Sequence, residues 1–71
     1  MAMSNEDILD QERLVDTRRA ATMLSKHPAV LADWRHQGRG PKYVKFGRSI
    51  RYRIGDIHDW IADHTVEPAT D

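Results

Sequence analysis

The chain has 71 residues, enough for one small domain, and it contains no cysteine, which excludes disulfides and thiolate zinc sites. Its 11 basic and 11 acidic residues cancel overall, but the net charge is −4 over residues 1–16, +9 over 17–53 and −5 over 54–71. No apolar stretch approaches the length of a membrane span, and the acidic N-terminus is unlike a signal peptide. The basic middle favours a nucleic-acid partner, the alternative being a solvated face balanced by its own acidic flanks.

Apolar periodicity divides the chain into three segments. Residues 1–13 lack it and are predicted to form a flexible acidic leader. Residues 14–64 form the predicted domain, and residues 65–71 form a predicted flexible tail.

The first predicted helix lies in "LVDTRRAATMLS". Either Asp16 or Thr17 caps it. Its buried face consists of Ala20, Ala21 and Leu24, with Met23 at the edge. Arg18 and Arg19 occupy the first turn, where the helix macrodipole disfavours cations. They either bind a phosphate at this helix end, together with its exposed amides, or point into water.

The second predicted helix follows a short break over residues 25–27 and begins at Pro28, whose missing amide has no intrahelical partner at that position. Its buried stripe consists of Val30, Leu31 and Trp34. Gly38 or Gly40 ends it, and Pro41 prevents its continuation. Two short helices joined by a tight turn form a helix-turn-helix.

The basic segments "KYVKF" and "IRYR" flank a turn at "GRS" and predict a β-hairpin. Opposite residues of an antiparallel pair share a face, so a three-residue loop over 47–49 pairs Phe46 with Ile50 and Val44 with Tyr52. This register separates those apolar side chains from a cationic face. The predicted cationic face consists of Tyr43, Lys45, Arg51 and Arg53.

The last predicted helix begins at Gly55 or Asp56. Its buried face consists of Ile57, Trp60 and Ile61, and Ile54 packs at its entry.

The two tryptophans lie on apolar helix faces, which favours core packing over a role as stacking platforms for bases. The four histidines lack the spacing of a helical ligand pair, and no nucleophile, base and orienting group come together. We therefore expect no metal, no cofactor, no small-molecule ligand and no enzymatic activity.

The order of helix, turn, helix, hairpin and helix resembles the small winged helix-turn-helix of phage excisionases and AlpA-type regulators, which share the DNA-binding fold of MerR-type activators. The likeness rests on "LVDTRRAATML" and on "LADWRHQGRGPKYVKFGRSIRYRIGDIHDWI", and it covers roughly residues 14–64. The expected fold class is mainly α with a small β-hairpin: a helix-turn-helix, a two-stranded wing and a third helix.

The resemblance implies that the second helix enters the major groove of duplex DNA while the wing follows the backbone towards the minor groove. In the recognition helix and the turn before it, the expected contact residues are Lys26, His27, Pro28, Ala29, Ala32, Arg35 and His36. In the wing they are Lys45, Arg48, Ser49, Arg51 and Arg53, with Arg48 at the tip directed into the minor groove. In the first helix the expected contact residues are Thr17, Arg18 and Arg19, which bind the DNA backbone.

The recognition helix departs from the family, whose members tend to present polar and basic residues there. Its outward face offers Ala29 and Ala32 to thymine methyl groups, while Asp33 either accepts from cytosine or repels phosphate. We therefore expect modest intrinsic specificity that relies on DNA shape, on the wing and on several copies binding together.

Three functions remain open from the sequence. The first is an excisionase, or recombination directionality factor, that binds repeated sites, bends DNA and assists an integrase. The second is a transcriptional regulator acting with RNA polymerase, and the third is a module that binds an acidic protein partner. The first two imply a cytoplasmic, nucleoid-associated protein of a bacterial or phage-infected cell that self-associates on adjacent sites.

The acidic leader either meets the basic block of an adjacent protomer or screens its own wing.

Overall fold

Four helices and a three-stranded antiparallel sheet make up the computed structural model, which describes residues 5–69, with side chains from residue 9 onward. The helices are α1 (Asn5–Glu12), α2 (Thr17–Met23), α3 (Pro28–His36) and α4 (Ile54–Asp63). The strands are β1 (Leu14–Val15), β2 (Val44–Phe46) and β3 (Ser49–Arg53), in the spatial order β1-β3-β2. This is the expected winged helix-turn-helix, with one strand and one helix more than predicted.

Local capping explains why α2 and α3 form where the sequence predicted them. Asp16 caps α2, because its carboxylate accepts from the amide of Arg19 at 2.8 Å. At the other end Ser25 adopts φ 56°, and the amide of Lys26 donates to the carbonyl of Ala21 at 2.9 Å. This left-handed residue turns the chain sharply, so that α3 begins at Pro28 only a few residues later.

The end of α3 is a glycine cap. Gly38 has φ 68°, and the amide of Arg39 donates to the carbonyl of Trp34 at 2.8 Å, the bond that closes a Schellman motif. Gly40 follows with φ 95° and lies against the Trp34 ring, before the buried Pro41. The chain thus leaves α3 in a compact link that leads directly into the wing.

The core lies where α2, α3, α4 and β3 meet. Its fully buried side chains are Ala20, Ala21, Leu31, Tyr52 and Ile57. Trp34 and Trp60 are half-buried, with ring centroids 5.5 Å apart, which joins α3 to α4. The prediction that Ile61 is buried is wrong: its side chain is 41% exposed, because it lies beside the buried face of α4 rather than on it. The helix also begins at Ile54, one residue before Gly55.

A helix occupies residues that were expected to carry no regular structure. α1 packs against α4, where the carbonyl of Gln11 lies 3.0 Å from the position that a Cβ on Gly55 would take. The side chain of Gln11 also reaches the His58 Nδ1 at 3.1 Å. Next to α1, β1 pairs with the base of the wing, Leu14 opposite Arg53 and Val15 opposite Tyr52. The wing is therefore two-stranded only at its tip.

The predicted hairpin register is wrong. Val44 pairs with Arg51, Lys45 with Ile50, and Phe46 with Ser49, which leaves a two-residue loop at Gly47 and Arg48 instead of three residues. Gly47 has φ 59°, whereas φ is not positive at Arg48. This is the pattern of a type II′ turn, in which glycine takes the first central position.

The corrected register changes which side chains share a face. Tyr52 is directed inward as expected, but Lys45 shares the face of Ile50, which packs against the core. Phe46 and Arg51 fall on the outer face, so the apolar and cationic side chains of the wing are mixed rather than separated.

Candidate nucleic-acid interface

A concave surface lies between α2, α3 and the tip of the wing. α2 and the residue before it contribute Asp16, Thr17, Arg18 and Thr22, and the start of α3 contributes His27 and Pro28. The wing contributes Arg48, Ser49, Ile50 and Arg51, and Arg35 completes the lining. We call this surface the basic cleft. It brings together contact residues predicted separately for the first helix, the turn, the recognition helix and the wing.

A second depression, beside the basic cleft, is formed by the outward face of α3 and the inner face of the wing. Its lining consists of Ala32, Arg35, His36, Tyr43, Lys45 and Ile50. Lys45 therefore lines the same depression as His36, on the opposite face of the wing from Arg51. Lys26, Ala29 and Asp33 are exposed on the adjoining turn and helix. The second depression and the basic cleft share Arg35 and Ile50, so they form one continuous surface.

Arg35 is held in place instead of lying free at the flank of α3. Its Nη1 donates to the Tyr52 hydroxyl at 2.8 Å, and its guanidinium carbon lies 5.8 Å from the centre of the Tyr43 ring. Tyr52 is 1% exposed, so this bond connects the recognition helix to the core end of the wing. Sequence reasoning missed the pair, which is separated by 17 residues and follows no local pattern.

His27 has a structural role in addition to its place in the basic cleft. It is the N-cap of α3, and its Nδ1 accepts from the amide of Ala29 at 3.1 Å. The neutral ring therefore carries its hydrogen on Nε2, which remains available as a donor to an anion.

Two of the arginines predicted to contact DNA lie outside the basic cleft. Within residues 9–69, the only cation paired with a carboxylate is Arg53, which lies 3.9 Å from Glu12 and 3.6 Å from Asp56. Arg19 lines a different depression, together with Arg13 and Met23. The basic cleft therefore includes Arg18 but excludes the predicted contacts Arg19 and Arg53.

Histidine, aspartate and glutamate side chains nowhere gather into a group of three that would hold a metal ion, in the part of the chain that the structure describes. His58 contacts Gln11, and the Nδ1 of His64 lies 2.8 Å from the Trp60 carbonyl. None of the helices within residues 5–69 has the length and apolar character needed to cross a membrane.

Comparison with known proteins agrees with this geometry. A family model described as "Helix-turn-helix domain" matches residues 14–65, from β1 to just beyond α4. No curated protein matches the chain. The family includes excisionase-type and AlpA-type proteins, which confirms the resemblance drawn from the sequence. Because the match covers most of its length, the chain belongs to the helix-turn-helix domain family of DNA-binding proteins, whose members are typically not enzymes.

Proposed function

We propose that the chain binds duplex DNA with α3 in the major groove and the tip of the wing at the adjacent minor groove. The observation that carries this proposal is the basic cleft, which brings together cations of α2, of the wing and, through Arg35, of α3. Arg18, Arg48 and Arg51 line it, and none of them pairs with a carboxylate among the described side chains. Arg51 donates one N–H to the Ile50 carbonyl at 2.8 Å, but its charge, like those of Arg18 and Arg48, faces no described carboxylate. Such cations are available to neutralise phosphates and to release the counterions condensed on DNA.

Each part of the surface has a distinct proposed role. Thr17 and Arg18 bind the backbone on one side of the major groove, and the His27 Nε2 donates to a phosphate next to them. Arg48 occupies the minor groove, where narrow A·T-rich segments concentrate negative potential. Lys45 and Arg51 bind phosphates on the strands that flank the wing.

The outward face of α3 supplies little direct base readout. Ala29 and Ala32 are exposed and offer only methyl groups, and Asp33 beside them is an acceptor. Arg35, the side chain best suited to a bidentate contact with guanine, already uses one N–H on Tyr52. Specificity therefore depends on DNA shape and on the wing, which supports the architectural role of an excisionase more than that of a regulator reading one operator.

A salt titration of binding to a short A·T-rich duplex tests the proposed interface. About four to six phosphate contacts predict a slope of log K against log salt between about −3.6 and −5.4. R48A should make the slope shallower by about 0.9. R53A is the matched control, since Arg53 lies in the same hairpin but faces Glu12 and Asp56, and it should leave the slope unchanged.

Two results would overturn the interface. One is a wild-type chain that does not retain duplex DNA even at low salt, which is the behaviour of a module for an acidic protein. The other is an R53A variant that loses as much of the slope as R48A.

The excisionase role has its own test. Footprinting on DNA around the gene should show protection at repeated sites that fill cooperatively, and the chain should stimulate excision by a recombinase encoded nearby. Binding at a single promoter site, together with a change in transcription and no effect on excision, would instead identify a regulator acting with RNA polymerase.

A further inference from the structure

The outer face of the wing carries an exposed aromatic ring. Phe46, the only phenylalanine of the chain, is 57% exposed at the end of β2. Its cross-strand partner is Ser49, which is too small to cover the ring, and the two-residue turn follows directly. Exposing this much apolar surface is unfavourable in water. The ring is therefore accessible to a partner that would cover it.

The surroundings of the ring indicate which partner. Lys45 precedes Phe46, Arg48 lies in the turn that follows it, and Arg51 shares its face of the sheet. Residues 38–53 contain no acidic side chain. Ile50 lies on the opposite face of the wing and packs against the core. Phe46 is not among the side chains that pack against the core. The partner must accordingly be polyanionic and must also offer flat apolar surfaces, a combination that stacked bases between phosphates provide.

We propose that Phe46 is an apolar wedge that the wing inserts at a base step of the minor groove, where it unstacks the bases and kinks the duplex. Minor-groove proteins commonly bend DNA in this way with Phe, Leu or Ile side chains. Arg48 lies two residues further along, so the cation enters the groove while the ring meets the neighbouring step. Pyrimidine–purine steps unstack most readily, so the wedge adds a preference for TA or CA steps under the wing.

This inference rests on the proposed binding of duplex DNA, and its test separates the two. A duplex with a central TA step carries donor and acceptor dyes at its ends and, in a second version, 2-aminopurine at the step. The wild-type chain should bend this duplex by about 20–90° and raise the 2-aminopurine fluorescence. F46A should bind about 5- to 150-fold more weakly, because it loses one base–aromatic contact, and should abolish both signals. Its salt slope should stay that of the wild type, because no charge is removed.

Two further variants complete the design. F46L keeps an apolar wedge and should retain most of the bend. R48A should make the slope of log K against log salt shallower. Phe46 is exposed, so the melting temperature of F46A should equal that of the wild type, and unequal melting would itself contradict the exposed position.

Three outcomes would overturn the inference. F46A bending and unstacking the duplex like the wild type rejects the wedge while leaving DNA binding intact. F46A shifting the sedimentation of the free protein, with the bend unchanged, assigns the ring to a protein contact. A wild-type chain that binds no duplex rejects the wedge together with the proposed function.

Discussion

Gly40 fixes the link between the recognition helix and the wing, and replacing it tests how closely this link is packed. A Cβ at Gly40 would lie 2.9 Å from Cε3 of the Trp34 ring and 3.0 Å from the Trp34 Cβ, distances that require something to shift. The backbone there has φ 95°, which L-residues rarely adopt. Gly38 is the matched control, because its φ of 68° is also left-handed but nothing lies within 4 Å of its added Cβ.

The two glycines separate backbone strain from steric overlap. G38A lowers the unfolding free energy only through the strain of the left-handed conformation, by about 1–2 kcal/mol. G40A adds overpacking against the half-buried indole, about 1–3 kcal/mol more, for a total of about 2–5 kcal/mol. A domain of this length has an unfolding free energy of about 4–11 kcal/mol. G40A thus removes a large part of the stability and G38A a modest part.

Thermal unfolding followed by circular dichroism measures the difference. We expect the melting temperature to fall by about 4–16 °C for G38A and by about 8–40 °C for G40A, measured side by side in the same buffer, with the larger fall for G40A. In a W34L background the additional loss from G40A should shrink, since the ring that it meets is gone. Equal losses for G38A and G40A, or a G40A loss that Trp34 does not influence, would refute the close approach.

Two further predictions concern the helix-turn-helix and its connection to the wing. S25G should raise the unfolding free energy by about 0.5–1 kcal/mol in urea denaturation, because Ser25 has φ 56° at the end of α2, where glycine is preferred; an unchanged or lower value would contradict that conformation. Y52F should lower it by about 1–2 kcal/mol, because Arg35 loses its hydroxyl acceptor in a half-buried place, and the exposed control Y43F should be nearly neutral. Y52F should also weaken DNA binding with no change of salt slope, whereas a changed slope would show that Arg35 contacts phosphate through a charge that Tyr52 modulates.

Elements whose ends carry local chemistry were predictable from the sequence. Asp16 caps α2, Pro28 begins α3 and Gly38 ends it, as the residue types indicate. Each of these signals acts within a few residues, because capping groups bond to amides or carbonyls of the adjoining turn. The buried faces of α2 and α3 were mostly identified for a different reason, which is that their apolar residues recur at helical spacing.

The hairpin register was not predictable by assuming that one face of the wing is buried throughout. The inner face is buried at Tyr52 and partly at Ile50, but beyond these residues the wing projects past the core. Because no core lies beside this part of the wing, a lysine on the inner face at position 45 and a phenylalanine on the outer face at position 46 cause no loss of buried apolar contact. The glycine turn decides the register instead, because Gly47 suits the first position of a two-residue loop.

The remaining misses depend on distant residues. β1 has two residues, too few for a pattern, and it exists because the edge of β3 offers partners at Tyr52 and Arg53. α1 has no continuous apolar face, and its Leu9 is exposed. Among its described side chains, Gln11 lies against Gly55 and contacts His58, and both partners are more than forty residues away in the sequence.

The position of α1 bears on the two alternatives for the acidic leader. Glu12 approaches Arg53 at the base of the wing, where β1 and α4 also meet β3, whereas Arg48 lies at the tip and has no carboxylate partner among residues 9–69. The acidic charge at the end of α1 is thus applied to a cation outside the basic cleft. In this position Glu12 lowers the net charge at the base of the wing without competing for the wing tip, which leaves Arg48 and Phe46 available to the same stretch of DNA.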